Sequence, residues 1–402
     1  MKNVLIPVNN RATQSELAGS RATNYWRTSD SIVFTEATGK VSEFKIEIFG
    51  GGAFTTANWP SIGLRSDLRM FVYQSREFID VWMQTIGKRR RIATFFILIK
   101  DASGTPIFYL PVGIERRLGV RLLRFLDAGV ADYNAPGLAP HAVFSRDLFT
   151  LLWAKILSLL PFFDAADLRK IPQHVLGLSN PLLYLNCTPH SESGHSTLIS
   201  SLHTDTDARG SVKRLRKDLH RNCKRLMEIG TLDFVTNPSE KQLSFITERL
   251  IELKRKRYTR MSGSDFLALP GTADFYREMM SSRRLGQISQ LSALTINGEV
   301  ASAHLGFLSC DRFYYVFPAF DSKFAKFRVG HMLLQKLIDD ASQKNLTTFD
   351  LGIGNLAYKR TWASQPLALF NHEQAFTAVG NAYLLARRLK HLLSSLRSTR
   401  GL

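Results

Sequence analysis

The chain has 402 residues, of which 53 are lysine or arginine and 34 are aspartate or glutamate, giving a formal net charge of +19 at pH 7. This length exceeds the usual size of one compact domain and suits two. An apolar share of 45% and a charged share of 22% are ordinary for globular proteins and exclude a globally disordered chain. Three cysteines are too few for a disulfide framework and favour a reducing compartment. The positive charge favours polyanionic partners such as nucleic acid, an anionic membrane surface or a phosphorylated cofactor.

Membrane insertion and secretion are not predicted by any segment. Residues 1–7 are followed at once by polar residues, so they lack the apolar run of a secretory signal. The longest apolar stretch, residues 148–163, contains Lys155 and Pro161 and is shorter than the ~20 residues that a membrane span needs. We therefore expect a cytoplasmic protein, with peripheral attachment to the inner face of the membrane as the alternative.

The first half of the chain begins with a polar leader, residues 1–42, and then alternates between helical and strand patterns. A hairpin is predicted around the turn at 101–104, because Gly104 allows a permissive backbone there and Pro106 a restricted one. The expected helices cover residues 75–87 and 148–160, and the expected strands cover 91–100, 107–112, 175–178 and 182–185. We expect this N-terminal domain to span residues 43–190.

A polar segment, residues 191–210, has few groups able to form a core and is the expected linker to a second domain at 211–380. A second hairpin is predicted around Asn297-Gly298. The expected helices cover 211–229, 241–258, 330–344 and a basic C-terminal helix within 381–402, and the expected strands cover 231–235, 290–296, 299–308, 313–318 and 347–352. This order predicts an α/β protein with mixed sheets. The recurrence of a helix and a hairpin suggests two related domains in tandem, unless the two hairpins resemble each other by chance.

Residues 315–331 run from a strand through a basic loop into the start of a helix, an arrangement that can bind an anion. Unpaired backbone amides at a helix start point outward, and Gly330 permits a ligand to approach closely. The candidate pyrophosphate-binding residues are Arg328, Val329, Gly330 and His331. The alternative is an ordinary strand–loop–helix connection whose glycine serves only the turn.

Two residues on predicted strands are candidate general bases. Asp350 ends a strand expected to be central, before a loop that contains Gly352 and Gly354, and ligands of open α/β sheets collect beyond strand ends. Its alternative role is that of a capping or turn carboxylate. His304 lies in the middle of another strand, where a hydrogen-bonded core histidine is the alternative to a base that faces a ligand.

Metal binding and covalent catalysis have no clear signal. Cys187, His190 and His195 are close in sequence, but no fourth ligand is spaced to match, so we interpret them as loop residues and expect no metal. No Gly-x-Ser-x-Gly motif occurs, so a covalent nucleophile is not expected.

The second half resembles the GNAT-fold acyltransferases of the CelD/BcsL group, which is associated with cellulose and exopolysaccharide synthesis and related to FemAB-like transferases. The resemblance lies in the strand–loop–helix at 313–336, in the block 350–362 with Asp-x-Gly-x-Gly followed by Tyr-Lys-x-x-Trp, and in the basic helix at 211–228. One departure is at 328–330, where this chain has Arg-Val-Gly and the group commonly has Ser-Pro-Gly.

Trp59 and the Asp132-Tyr133 pair after Gly129 match the N-terminal half of the same group, so the resemblance extends over residues 45–395. It implies tandem GNAT folds, an acyl-CoA donor such as acetyl-CoA, no metal, and an amine or hydroxyl acceptor. A thioester is already activated, so such an enzyme positions it, polarises its carbonyl and removes a proton from the acceptor.

The resulting expectation is an enzyme that transfers an acyl group from acyl-CoA to an amine or hydroxyl of a saccharide or cell-envelope precursor. Asp350 or His304 is the expected base, and Tyr358 is the expected proton donor to the leaving thiolate. Lys359 is expected to pair with Asp350 or with an anionic acceptor. Two alternatives remain: a FemAB-like transferase that uses aminoacyl-tRNA, and an inactive module whose basic faces bind nucleic acid or an anionic membrane. The oligomeric state is not predicted.

Overall fold

The structure is a computed structural model that describes residues 26–35, 39, 41–51, 59–61, 68–203, 210–236, 238–281, 288–363 and 365–399. The strands are β1 (Trp26–Thr35), β2 (Val41–Gly50), β3 (Ala93–Lys100), β4 (Pro106–Arg117), β5 (Val120–Phe125), β6 (Gly137–Leu138), β7 (Ala165–Pro172), β8 (His174–Val175), β9 (Leu178–Ser179), β10 (Cys187–Pro189), β11 (Gly194–Leu198), β12 (Leu232–Thr236), β13 (Ser289–Ile296), β14 (Glu299–Ser309), β15 (Arg312–Phe320), β16 (Thr348–Ile353), β17 (Gln365–Leu367) and β18 (Leu369–Ala375). The helices are α1 (Arg76–Trp82), α2 (Lys88–Arg90), α3 (Arg146–Leu159), α4 (Ile199–His203), α5 (Gly210–Met227), α6 (Glu240–Ser262), α7 (Thr272–Ser281), α8 (Val329–Gln343), α9 (Ala357–Trp362) and α10 (Ala378–Thr399).

Two large mixed sheets repeat one strand arrangement. The first, here called the N-sheet, has the order β1-β2-β3-β4-β5-β7-β18-β10, and the second, the C-sheet, has the order β12-β13-β14-β15-β16-β11-β17. In each, an antiparallel series leads to one parallel pair, β5–β7 or β15–β16, and then to an antiparallel strand, β18 or β11. A helix, α3 or α8, crosses between the two parallel strands. The expected mixed α/β fold with two related domains in tandem is therefore confirmed.

The two sheets exchange strands, so the sheets do not follow the chain boundaries expected at 190 and 380. β18 lies late in the sequence and completes the N-sheet, whereas β11 precedes α5 and completes the C-sheet. The expected leader, 1–42, contributes β1, and the expected linker, 191–210, contributes β11. β1 is an edge strand with alternating exposed positions, so its polarity alone does not distinguish it from a loop.

Both predicted hairpins are present. At the β13–β14 turn, Asn297 and Gly298 have φ values of 48° and 77°, the left-handed pair of a type I′ turn. At the β3–β4 turn, Gly104 has a φ of 79°. Local turn chemistry was sufficient to predict these two connections because it acts within four residues.

The prediction of one strand, at 182–185, is wrong. Residues 182–185 fall mostly in a short 3-10 helix, Pro181–Tyr184, and its first free amide, that of Leu182, is capped by the side chain of Asn180 at 3.2 Å. A proline at the first helical position and an asparagine cap favour a helical turn over a strand. The other short expected strand, 175–178, is divided between β8 and β9, which form a separate two-stranded hairpin.

Helix α8 packs on the C-sheet with the apolar face that its sequence predicts. The buried residues of that face are Val329, Met332, Leu333, Leu334, Leu337, Ile338 and Ala341. Its first turn is thereby held against β15, beside the strand positions that form the site described below. Within the part of the chain that the structure describes, no helix is both long and apolar enough to cross a membrane.

Aromatic rings join the two halves of the molecule. The ring of Tyr73 lies 5.6 Å from that of Tyr314 and 6.5 Å from that of Phe307, measured between centroids. The ring of Phe78 lies 5.1 Å from that of Phe275. All five side chains are buried. Such pairs contribute about 0.5–1.5 kcal/mol each beyond their area burial, so residues from both halves meet in a fixed arrangement.

Candidate active site at the junction of the two sheets

The parallel strands β15 and β16 separate after three residue pairs. They pair from Arg312 and Thr348 to Tyr314 and Asp350, and beyond that point β15 continues to Phe320 paired with β14 but not with β16. β15 also has a bulge, because Leu305 and Gly306 of β14 face Phe317 and Tyr315 and leave Val316 between them unpaired. The far part of β15 therefore has one edge free of β16.

A cavity of about 210 Å³, here called the β15 cavity, opens beside this free part of the strand. Its lining residues are Arg257, Ser302, Tyr315, Pro318, Ala319, Phe320, Ala325, Arg328, Val329, Gly330, His331, Leu334 and Tyr358. The structure thus brings together all four residues predicted to bind pyrophosphate. Tyr358, predicted as a proton donor, lies in the same wall.

The start of α8 gives the β15 cavity an anion-binding end. Arg328 precedes the helix with a φ of 58°, and its carbonyl oxygen accepts the N–H groups of His331 and Met332 at 2.9 and 3.1 Å. Val329 and Gly330 occupy the first turn, where helix N–H groups have no partner within the helix and carry partial positive charge. The guanidinium groups of Arg328 and Arg257 add full charges at the same wall.

Asp350 lies at the contact between the two halves and does not line the β15 cavity. Its side chain is 1% exposed. Oδ1 accepts the hydroxyl of Tyr133 at 2.8 Å and the N–H of Gly352 at 2.9 Å, and Oδ2 accepts Nη1 of Arg312 at 2.9 Å. Because Tyr133 comes from the N-terminal half, the carboxylate fastens that half to β16.

His304 lies beneath the cavity wall and is fully buried. Its ring stacks on Tyr315 with centroids 4.3 Å apart and planes 11° apart. Among the described residues neither ring nitrogen has a hydrogen-bond partner. Burial, assisted by the charge of Lys254, lowers the pKa of His304 well below its usual value, so the ring is neutral at pH 7.

Tyr358 and Lys359 occupy neighbouring positions of α9 with different surroundings. Burial raises the pKa of Tyr358 to about 12, so its hydroxyl keeps its proton at neutral pH. Lys359 is buried and donates a hydrogen bond to the carbonyl oxygen of Ile353. Burial lowers the pKa of Lys359, while the charges of Asp132 and Asp350 oppose that change. Of the two expected residues, Tyr358 therefore lies at the cavity, and Lys359 lies near Asp132 and Asp350 at the junction.

Asp132 is a candidate acid–base residue that the sequence pattern alone did not identify. It is partly exposed, and the hydroxyl of Tyr73 donates to its Oδ2 at 3.1 Å. Burial raises the pKa of Asp132 to about 6, against the opposing charges of Lys359 and Lys170. A carboxyl group that titrates near neutral pH at a junction of two halves is a functional candidate. The only available signal was the Asp132-Tyr133 pair, whose neighbours lie far away in the sequence.

Lys254 on α6 is a second group with a near-neutral pKa. It is buried, its Nζ donates to the carbonyl oxygen of Pro318 at 3.1 Å, and it lies 4.5 Å from the ring centroid of Phe317. Burial lowers the pKa of Lys254 to about 7, and the charges of Arg257 and Lys359 act in the same direction. Pro318 lines the β15 cavity, so Lys254 supports that wall from behind.

The three residues considered as metal ligands do not come together. Cys187 lies on β10 of the N-sheet, His190 follows it, and His195 is buried on β11 of the C-sheet. Among the residues that the structure describes, no group of three possible ligands could hold a metal ion.

Comparison with known proteins identifies the class of the second half. Residues 213–360 match the family described as "Acetyltransferase (GNAT) domain", so this part of the chain has a GNAT-type fold. It includes the β15 cavity, His304, Asp350 and Tyr358. No curated protein matches the chain.

Solved structures with similar folds cover most of the chain. FemX is 11% identical, with a TM-score of 0.51 over 78% of this chain and 94% of that one. The C-terminal domain of a putative lysylphosphatidylglycerol synthetase from Agrobacterium fabrum is 12% identical, with a TM-score of 0.47 over 77% and 91%. A tandem GNAT protein from the clavulanic acid biosynthesis pathway is 9% identical, with a TM-score of 0.41 over 74% and 87%. At these identities the similarity concerns the fold alone.

Proposed function

We propose that the protein is an acyltransferase that binds acyl-CoA in the β15 cavity and transfers the acyl group to an amine or hydroxyl of a saccharide or cell-envelope precursor. The observation that carries the proposal is the separation of β15 from β16 beside the start of α8, within a GNAT domain. The resemblance to the CelD/BcsL group supports the acceptor class. The place of action in this proposal is the cytoplasm.

The donor is held at two points in this proposal. Its pyrophosphate binds the free N–H groups of Val329 and Gly330 and the guanidinium groups of Arg328 and Arg257. Its thioester lies along the edge of β15 that is free of β16, beside the bulge at Val316, and a backbone N–H of this edge polarises the carbonyl oxygen in this proposal. His331 contacts Tyr358 edge to face, with ring centroids 6.1 Å apart, and completes the wall between these points.

In this proposal, residues at or near the junction accept and donate the protons. Asp132 takes the proton of the attacking amine or hydroxyl, since it is partly exposed and its pKa is about 6. The nucleophile then forms its bond to the acyl carbon, the carbon–sulfur bond breaks, and Tyr358 donates a proton to the leaving thiolate. Lys359 offsets the charge of Asp132 or of an anionic acceptor.

Asp350 and His304 act as positioning residues in this scheme. Asp350 already accepts three hydrogen bonds, and it holds Tyr133, the neighbour of Asp132. His304 is fully buried, and its ring supports Tyr315 in the cavity wall. Neither is open to an acceptor in the way that Asp132 is.

The donor is tested by thermal unfolding with acetyl-CoA, longer acyl-CoA esters and free CoA. Ligand at 100 times its dissociation constant should stabilise the protein by ~2.7 kcal/mol. Adenosine with chloride at matched ionic strength is the control for non-specific stabilisation. If no acyl-CoA and no CoA raises the melting temperature, the acyl-CoA proposal is refuted.

A second donor, aminoacyl-tRNA, is favoured by one specific feature. Helix α5 has an exposed basic face, and its Arg225 lies over the ring of Phe327, 5.7 Å from the centroid, next to Arg328 of the β15 cavity. The exposed basic residues of that face are Lys213, Arg214, Lys217, Arg221, Lys224 and Arg225. A tRNA backbone on this face should give binding that weakens steeply with salt. Absence of tRNA binding at low salt would exclude this donor and the inactive nucleic-acid module together.

A further inference from the structure

A larger cavity lies in the N-sheet, outside the proposed active site. Strands β5 and β7 pair in parallel only at Leu122 with Ala165 and Leu123 with Ala166. The residues that come directly after these pairs, Arg124 on β5 and Asp167 on β7, line a cavity of about 540 Å³, here called the β5 cavity. It opens where the parallel strands of the N-sheet separate, as the β15 cavity does in the C-sheet. Its volume is in the range of small-molecule sites.

The lining of the β5 cavity is strongly basic. Its charged residues are Arg90, Arg117, Arg124, Arg169, Lys170, Arg387 and Lys390 on the positive side and Glu115, Asp127 and Asp167 on the negative side. Seven cations against three carboxylates leave an excess of positive charge in a concave surface. A concave basic surface concentrates field lines and attracts anions.

Ion pairs at the floor of the cavity preorganise part of this charge. Asp167 is paired with Arg124 at 2.7 Å, with Arg169 at 2.8 Å and with Arg387. Although burial opposes it, these three guanidinium groups hold the pKa of Asp167 at about 2. Glu373, beside the cavity, pairs with Arg387 as well. The floor is therefore a rigid network in which arginine side chains are fixed before any ligand arrives.

The rim of the cavity carries cations that are outside this ion-pair network. Arg90, Arg117 and Lys390 line the cavity, and within the described part of the chain none of them forms an ion pair. Arg90 uses Nε on the carbonyl oxygen of Pro270 and Nη2 on Thr272, which leaves Nη1 for another acceptor. These three side chains are the ones that a bound anion would neutralise.

Apolar groups stand beside the cations. Trp82, Ile92, Phe125 and Tyr383 contribute to the walls, and Leu118 and Leu269 lie at the edge. Leu118 is 90% exposed and forms, with Gly119, the two-residue left-handed turn between β4 and β5. An exposed leucine next to free cations suits a ligand with an apolar part beside its charge.

We propose that the β5 cavity binds a small molecule that carries a phosphate or diphosphate group next to an apolar or aromatic part. One wall is formed by Asp127, Ala128, Gly129 and Asn134, and the same loop places Asp132 against Gly352 of the C-sheet. The loop that lines the β5 cavity thus also carries the proposed base. Binding in the β5 cavity does not depend on which donor occupies the β15 cavity.

Calorimetric titration with inorganic pyrophosphate at constant ionic strength tests the proposal. It is done on the full chain with the substitution Gly330→Val, which obstructs the other phosphate-binding end, and repeated on the unsubstituted protein. Adding Arg117→Gln and Lys390→Gln removes two exposed rim cations without disturbing the network, and should weaken binding on the order of tenfold. The matched control adds Lys241→Gln and Arg260→Gln, two exposed cations of α6 outside the cavity, and should leave binding unchanged. Equal affinities in the rim and control variants, or no binding to either parent, would overturn the proposal.

A labelling experiment locates the site without relying on those variants. Pyridoxal 5′-phosphate combines a phosphate with an aromatic aldehyde that condenses with a lysine amine, losing water, and borohydride reduces the resulting imine to a stable secondary amine. We expect saturable labelling of Lys390 that pyrophosphate prevents, whereas labelling of the exposed Lys241 should be weak and unaffected by pyrophosphate. Labelling of Lys390 that pyrophosphate does not reduce would contradict a phosphate site in the β5 cavity.

Discussion

Gly352 of the C-sheet and Asp132 of the N-terminal half are in direct contact, and the contact excludes a side chain at position 352. Gly352 has a φ of 70°, and a Cβ atom added there would overlap Oδ2 of Asp132. The hydroxyl of Tyr73 donates a hydrogen bond to the same oxygen at 3.1 Å. The proposed base is therefore enclosed between Tyr73 of its own half and Gly352 of the C-sheet, which links the docking of the two halves to the chemistry.

Replacing Gly352 by alanine should displace Asp132 and reduce turnover, while acyl-CoA binding is preserved. Part of the effect will be backbone strain, roughly 1–2 kcal/mol for a residue other than glycine in the left-handed region. Gly298→Ala is a matched control, because Gly298 has a φ of 77° and no atom within 4 Å of the added Cβ. Thiol release and urea unfolding of both variants separate strain from displacement. A similar loss of turnover in both would show that the contact with Asp132 does not matter.

Asp132→Asn should lower turnover by ~10²–10⁴-fold, the usual contribution of a general base, with acyl-CoA affinity unchanged. In the unsubstituted protein the rate should rise with pH through about 6 and then level off, because the carboxyl must lose its proton to act. A folded-state pKa above the unfolded value means that ionisation disfavours the fold above about pH 4. The Asn variant should thus be at least as stable as the parent at pH 7, and that advantage should vanish at pH 4. Full turnover in Asp132→Asn would exclude it as the base.

Asp350→Asn should behave as the loss of a structural ion pair. Arg312 would remain partly buried without its carboxylate, and breaking a buried pair typically destabilises a protein by about 3–5 kcal/mol. Turnover should fall together with the melting temperature. The double variant Asp350→Asn with Arg312→Gln should recover part of the stability, since no unpaired charge is then left. A variant with a normal melting temperature and no activity would instead favour Asp350 as the base.

The sequence predicted those features that depend on neighbours along the chain. Three local features are present in the structure as predicted. They are the turn at Asn297-Gly298, the apolar face of α8 and the position of Gly330 in the first turn of that helix. The prediction of a strand at 182–185 was wrong because the helix cap formed by the side chain of Asn180 outweighed the strand preference of the apolar residues that follow it.

The site at the junction could not be predicted from local patterns. Gly352 meets Asp132 only because β16 docks on the N-terminal half, and no spacing in the sequence records that contact. The near-neutral pKa values of Asp132 and Lys254 arise from burial by residues distant in the chain. Asp350 is prominent in its motif, yet its surroundings, and not its residue type, suggest a positioning role.

Gly330→Val should raise the KM for acyl-CoA and abolish the thermal shift that acyl-CoA produces, with little change in kcat. The added methyl groups would enter the cavity beside the free N–H groups of α8. Gly330→Ala is the control, because its Cβ would lie 3.2 Å from Cδ1 of Phe320 and needs only a small shift of that ring. Initial rates over a range of acyl-CoA concentrations distinguish the two variants. An unchanged KM in Gly330→Val would place the donor elsewhere.

Lys254→Met should flatten the pH dependence of stability above neutrality. The pKa of Lys254 is about 7 in the folded protein and 10.5 for an unperturbed lysine, so between those values the unfolded chain binds a proton that the folded protein does not. Stability contributed at this position therefore rises with pH across that window.

For one proton the free energy of unfolding rises by about 1.4 kcal/mol per pH unit in this window. Between pH 7.5 and 9.5 it should therefore increase by on the order of 3 kcal/mol more in the parent than in Lys254→Met. Methionine keeps a flexible apolar side chain against Phe317 and removes only the ionisable amine. Lys241→Met on the same helix, an exposed position, is the control and should parallel the parent. Urea unfolding of the three proteins at both pH values makes the measurement. If the free energies of unfolding of the parent and Lys254→Met change equally with pH, the amine is not desolvated, and the β15 cavity wall at Pro318 is open to water.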